Sequence, residues 1–300
     1  MFNAIHQSSL SKFKPVVFFL AVLLVLVGCN KESAMEPAST TDISANQDAA
    51  ESIASGIAEE TGGVVDQTAD LAEFAQADGF QKGLDKFSSK NSVSSIDTSY
   101  DATSGVWTIT LNRERGNPNS GAFYASIYRL YNLQFLDGSG TPQKWYDTNG
   151  SIAETINFDI VEGSGRHTTF RLSQRLNLLN ASIVATNTHT DEITYNGTYT
   201  RAAEDTITTA RATRTLDYTK SIVLTDVVGP RRIRNNWSRA VSGQISGTYD
   251  ATITFTRGDA YSERTVSRTI DITLGGGSAA IDVNGETYMA DVQTGELQEN

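Results

Sequence analysis

From Gly105 onward the chain alternates between apolar and polar residues. Trp107, Ile109 and Leu111 run against Thr108, Thr110 and Asn112. Ile152, Ile156, Phe158 and Ile160 run against Thr155, Asn157 and Asp159, and Ile193, Tyr195 and Tyr199 against Thr194, Asn196, Thr198 and Thr200. The longest run sets Val241, Ile245, Tyr249, Ala251, Ile253 and Phe255 against Ser242, Gln244, Ser246, Thr248, Asp250, Thr252 and Thr254. Ile270, Ile272 and Leu274 repeat the pattern near the end. Successive strand side chains leave opposite faces, so a period of two marks strands with one buried and one wet face, as in antiparallel sheets. The absence of a helical period after residue 104 argues against parallel βαβ units.

Turn signals separate the runs. Gly116-Asn117-Pro118-Asn119, Asp137-Gly138-Ser139-Gly140, Asp147-Thr148-Asn149-Gly150, Gly163-Ser164-Gly165 and Gly275-Gly276-Gly277 read as loops. Val283-Asn284-Gly285-Glu286 places Asn-Gly between two short strands, a type I′ hairpin signal. The expectation is a mainly β fold, with a large antiparallel meander of about ten strands, curled barrel-like or folded as a sandwich, over residues 104–300.

An amphipathic helical segment precedes it. Over residues 42–76, with Asp42 as a cap, Ala45, Ala49, Ile53, Ile57, Val64, Leu71 and Phe74 recur at helical spacing, with Glu51, Glu59, Glu60, Asp66 and Asp70 largely on the other face. Gly62-Gly63 interrupts the period, which predicts two helices or a kink, since mid-helix glycine costs ~1 kcal/mol relative to alanine. Residues 77–103, rich in glycine, serine and aspartate, read as a crossing segment. About ten apolar strand faces exceed what roughly 35 helical residues hide, so the sheet either closes on itself or leaves an apolar concavity. A transmembrane barrel is the third arrangement, but the aromatics are scattered and form no girdles.

The N-terminus has a different character. Lys12 and Lys14 precede the apolar stretch Pro15 to Val27, which is too short for a spanning helix, and Gly28-Cys29 follow. Leu26-Val27-Gly28-Cys29 resembles the lipobox of bacterial lipoproteins. The resemblance covers residues 1–29 and implies a signal peptide over residues 1–28, cleavage before Cys29, and acylation of Cys29 by the lipoprotein processing and sorting machinery. Membrane lipid would then be a partner through acylated Cys29. Asn30, rather than Asp, follows the cysteine, which by the same resemblance implies the outer membrane, on its periplasmic or surface face. Residues 29–41 form the lipidated cysteine and a polar tether. Cys29 is the single cysteine, so an intramolecular disulfide and a cysteine metal cluster are both excluded.

The net charge is −11, and removal of residues 1–28 takes away two lysines and no acid, leaving −13. Such a surface is a poor fit to nucleic acid. Arg231-Arg232-Ile233-Arg234, the one basic run, reads as a solvated turn. No catalytic residue, cofactor or metal site is expected. His167 and His189 lack ligand spacing, and Asp137-Gly138-Ser139-Gly140-Thr141 lacks the distal glutamate of a calcium loop. Glu154 falls in phase with Ile152 and Ile156, which predicts a rim position or a salt bridge to an inward Arg129. Arg257-Gly258-Asp259 reads as a hairpin turn.

The stretch richest in aromatics carries the candidate ligand contacts Tyr124, Tyr128, Tyr131, Trp145 and Tyr146. The combined expectation is a membrane-anchored cell-envelope lipoprotein with a non-enzymatic structural or surface-interaction role, meeting another envelope protein. The alternative is a binder or carrier of an apolar ligand or lipid in a sheet concavity. An enzyme acting on envelope glycans is a third reading, without a supporting constellation.

Overall fold

The computed structural model describes residues 38–75, 93–117, 123–169, 172–231 and 237–298. The signal segment, Cys29, the tether up to Pro37, Arg232 to Arg234 and most of the expected crossing segment lie outside these residues.

Two helices open the described chain, α1 (Ala38–Ile57) and α2 (Val64–Phe74). They break where Gly62-Gly63 predicts. Gly62 has φ +69°, and a β-carbon on Gly63 would stand 2.6 Å from the Gly56 carbonyl oxygen, so the turn needs both glycines. Helix α1 starts at Ala38, four residues before the expected cap at Asp42.

Fourteen strands follow: β1 (Val93–Asp101), β2 (Val106–Gly116), β3 (Phe123–Leu136), β4 (Pro142–Gln143), β5 (Asp147–Thr148), β6 (Ser151–Ile152), β7 (Thr155–Thr169), β8 (Leu172–Thr186), β9 (Glu192–Thr208), β10 (Thr213–Pro230), β11 (Ser242–Arg257), β12 (Ala260–Gly275), β13 (Ser278–Val283) and β14 (Glu286–Asp291). Twelve of them form one antiparallel meander in chain order, with β4 added to β3, while β5 and β6 make a separate small hairpin. The expected meander is therefore present. Strand β1 belongs to it, although Val93–Asp101 falls in the segment read as a crossing. One helical turn, Trp237–Ala240, sits between β10 and β11.

Inward and outward residues follow the period of two. On β10, Leu216, Tyr218, Ile222 and Leu224 are buried, while Asp217, Thr219, Ser221 and Thr225 are exposed. Exposed valines such as Val184 and Val223 pair with polar Asn196 and Thr198 across the ladder. This outward polarity is the reverse of the lipid-facing band that a membrane-spanning barrel requires. No helix among the described residues is long and apolar enough to cross a membrane.

The packing question has a definite answer: the helices lie within the curl of the sheet. Helix α2 meets β2 through Asp70 and Arg113, β3 through Phe74 and Tyr131, and β7 through Phe74 and Phe158. Helix α1 meets β9 through Ser52 and Asp205, β10 through Asp48 and Arg214, and β14 through Asn46 and Glu286. All eleven residues of α2 are buried, as are Ala49, Ile53 and Ile57 of α1. After α1, the Glu59 and Glu60 amides donate to the Val292 and Gln293 carbonyls at 3.0 and 2.9 Å, tying the helical segment to the end of the sheet. Among the described residues no ladder joins β1 to β14. The sheet is thus an open curl plugged by its own helices.

That arrangement corrects the wet-face reading for two of the five helical acids; Glu60 is exposed as expected, and Glu51 and Glu59 are half-buried. Asp66 and Asp70 are 4% and 0% exposed, because their partner Arg113 comes from the inner face of β2. Three smaller corrections follow. Ile152 is exposed on β6, outside the β7 run. Gly163-Ser164-Gly165 lies inside β7 and is not a turn. Arg231 is 7% exposed and donates to the Tyr146 hydroxyl at 2.9 Å, so the basic run does not begin as a solvated turn.

Candidate functional site

The five candidate aromatics fall into three places. Tyr131 projects inward from β3, and its hydroxyl donates to Asp70 Oδ2 at 3.0 Å. Burial, reinforced by the Asp70 carboxylate, pushes the Tyr131 phenol up. Tyr146 is also fully buried, with its hydroxyl donating to the Thr188 carbonyl and its ring edge-on to Phe135. Neither side chain reaches a ligand from solvent. Tyr124 and Tyr128 are half-buried on the other side of β3, where Tyr128 pairs with Asn112 of β2 and Ser164 of β7.

Trp145 is the most exposed of the five, at 38%. Its ring packs tilted against Trp107 of β2, with centroids 5.1 Å apart, and Trp107 in turn packs tilted against Tyr100 of β1 at 5.0 Å. Lys144 Nζ stands 5.0 to 5.8 Å from all three ring centroids. The Trp107 indole N–H donates to the Lys144 carbonyl at 2.6 Å and pins the loop to the sheet. Tyr100, Trp107 and Lys144 were not among the expected contacts. The usable signal was the Lys144-Trp145 adjacency, since a cation beside an indole is a recurrent pair. Neighbouring rings are tilted by 43° to one another and only Trp145 is exposed, so the arrangement offers a single indole face beside a positive charge.

A second cluster lies between helix and sheet. Arg113 Nη1 and Nη2 stand 3.4 and 3.2 Å from Asp66 and Asp70. Burial works to lower the Arg113 pKa, but the two carboxylates outweigh it and hold the guanidinium protonated. On the opposite side, Ser52 donates to Asp205 Oδ2 at 3.1 Å, and Arg201 Nη2 donates to Gln174 Oε1 at 2.6 Å. Burial pushes the Asp205 carboxyl up and the Lys220 amine well down. Asp48 pairs with Arg214 and, at 3.6 Å, with Arg264. These bonds fix the helices inside the curl.

The remaining expectations resolve individually. Glu154 is exposed at the rim, and Arg129, which does point inward, bonds backbone carbonyls instead of that acid. His189 is exposed. His167 is half-buried on β7, and its pKa is lowered by burial and by Arg201, against Glu60. Arg257, Gly258 and Asp259 span the β11–β12 hairpin turn, with Gly258 at φ +58°. Among the described residues no group of three or more His, Cys, Asp or Glu is placed to hold a metal ion. No protein-family model, curated protein or solved structure matches the chain.

Proposed function

We propose that the chain works as a membrane-anchored cell-envelope lipoprotein with a non-enzymatic role in contacting or supporting other envelope components. The observation that carries this reading is the filled curl. Helices α1 and α2 occupy the space in which a carrier would hold an apolar ligand, and the broad polar face of the sheet is turned to solvent. The lipobox Leu26-Val27-Gly28-Cys29 supplies the anchor, and several acyl chains, at ~0.8 kcal/mol per methylene, make such attachment durable. The exposed Trp145, packed against the inward-facing Trp107 and beside Lys144, is a contact point for such a component. The carrier alternative requires α1 and α2 to leave the curl. That would separate Arg113 from Asp66 and Asp70, at the several kcal/mol expected for breaking a buried charge pair.

Two measurements test the reading. Palmitate labelling of expressing cells is expected to mark the wild-type chain and not Cys29→Ser; an unlabelled wild type removes the anchor. Native mass spectrometry of the detergent-extracted full chain, followed by solvent extraction, is expected to find only the covalent acyl groups. A further stoichiometric lipid would make the curl a container and favour the carrier.

A further inference from the structure

Strands β7 and β8 part in mid-length. Their ladder pairs Ile160 with Ala181 and Gly165 with Leu176, but no partner joins residues 161–164 to residues 177–180. The adjacent ladders slip at the same level, between Leu130 and Tyr131 on β3 and between Leu176 and Leu178 on β8. Unpaired strand residues bend a sheet and re-aim side chains, and such irregularities recur beside functional sites. Gly165 holds the edge of the gap, where a β-carbon would stand 2.5 Å from the Ser126 carbonyl oxygen.

Two cavities meet there. The outer one, about 390 Å³, is lined by Tyr128, Ser164, Arg113, Arg166, Arg175 and Glu114 among others. The inner one, about 10 Å³, is lined by Arg129, Arg166, His167 and Arg201 among others. They abut, since Ser126, Ile127, Gly165, Arg166 and Leu176 line both. Glu114 is the only acid among their described lining residues, in a chain whose net charge is −11. Arg166 and Arg175 sit directly opposite each other across the β7–β8 ladder, a like-charge pairing that destabilises a sheet unless something neutralises it. Glu204 flanks Arg175 on β9 and offsets part of that charge. The acids Glu59, Glu60 and Asp66 line a separate small cavity, which shares Arg113 and Ile127 with the outer one and Ala125 and Ile127 with the inner one.

The buried arginines supply the independent observation. Arg201 is 1% exposed, and its Nε and Nη1 have no hydrogen-bond partner among the described residues. Arg129, also 1% exposed, spends Nη1 on the Tyr128 and Ser164 carbonyls and Nη2 on the Gly62 carbonyl, and its Nε is unpartnered. Burial opposes the Arg201 charge, and Tyr218, Tyr199 and Asp205 offset that; an anion that accepts from the donors left over removes the cost that remains.

We propose that this breach in the sheet is a binding site for a phosphate group. The inner cavity has room for about one water-sized atom, so it takes one phosphate oxygen, beside Arg201. The outer cavity holds the rest of the group against Arg166 and Arg175. Arginine's fork of donors suits phosphate oxygens in this geometry. The proposal does not depend on the lipid anchor.

The test uses the full chain in neutral detergent and low-salt buffer free of chloride and sulfate, titrated with inorganic phosphate by calorimetry. Saturable one-to-one binding is expected in the wild type. The double substitution Arg166→Gln/Arg175→Gln, on exposed positions, is expected to weaken it at least tenfold, with a melting temperature in phosphate-free buffer no lower than that of the wild type. Arg201→Gln is expected to abolish it, with circular dichroism to check folding. No binding in the wild type, or equal affinity in the folded double variant, would overturn the proposal. So would chloride binding with which phosphate does not compete. Flotation with phosphatidylglycerol vesicles, against phosphatidylcholine vesicles, separates the two sources. Selective flotation lost in the double variant identifies a lipid headgroup, whereas phosphate binding without flotation identifies a soluble phosphate.

Discussion

The ammonium of Lys220 lies in the notch that Gly56 leaves in α1, so that a β-carbon built on Gly56 would take the place of Nζ. Nζ stands 3.5 Å from the Ser52 and Ile53 carbonyls, one helical turn before Gly56. Strand and helix are keyed at this point. Gly56→Ala is expected to destabilise the chain by about 1–3 kcal/mol through overpacking. In a Lys220→Ala background the same change should be neutral or favourable, because alanine gains ~1 kcal/mol over glycine in a helix. Urea denaturation of the four proteins checks this, and simple additivity would mean that the two residues do not share the space.

The pH dependence follows from the same side chain. Burial holds the Lys220 amine well below its usual 10.5. Below the folded-state value both folded and unfolded chains carry the proton, and the full desolvation cost is present. As pH rises from there towards 10.5 the unfolded chain holds more protons than the folded one, so stability rises. Lys220→Met should remove that rise, as read from urea midpoints across the alkaline range. An unchanged profile would assign the effect to another group.

The Arg113 pair with Asp66 and Asp70 is a fully buried electrostatic tie between helix and sheet. Asp70→Asn is expected to cost about 3–5 kcal/mol, as when one partner of a buried pair is lost. Tyr131→Phe removes one hydrogen bond to the same carboxylate and should cost about 1–3 kcal/mol, since it leaves that acceptor less satisfied. Equal losses from the two would contradict the assignment of charge as the larger contribution.

Trp237 fills the space above Gly229, and its indole donates to Thr68 of α2 at 3.2 Å. Trp237→Ala is expected to cost about 3–5 kcal/mol, since a large side chain leaves a cavity. Hydrogen exchange should show the loss in α2 and in the Tyr195 strand, whose ring packs edge-on to Trp237. A loss confined to the turn itself would count against the contact.

Alternation made the strands legible, because a period of two is local, and Asn284-Gly285 announced its hairpin through two residues that both take positive φ, 54° and 88°. What stayed hidden depends on distance along the chain. Asp66 and Asp70 read as a wet helix face because their partner is more than forty residues away, on β2. Gly163 and Gly165 read as a turn, but they are strand positions that let neighbours approach; a β-carbon on Gly163 would stand 2.7 Å from the Leu179 side chain. The aromatic stretch was found as a composition, and its division into buried and exposed members was not, since Tyr131 and Trp145 differ in burial through contacts with α2 and with Trp107. Arg129 was legible as an inward residue but its partners were not, and nothing in the sequence marked Arg201, whose unpartnered donors depend on burial by distant segments.

The sheet adds each strand beside the one before it, while its helical filling comes first in the chain. The molecule is therefore a tape wound on a bobbin, and the order of winding is the order of synthesis. Each new hairpin forms from neighbouring sequence, so the slow search usual for sheets is replaced by many short ones. The final lap is different. The amides of Glu59 and Glu60 meet Val292 and Gln293 only when the whole tape has gone round, and that clasp is expected to be the last part of the structure to form and the first to open.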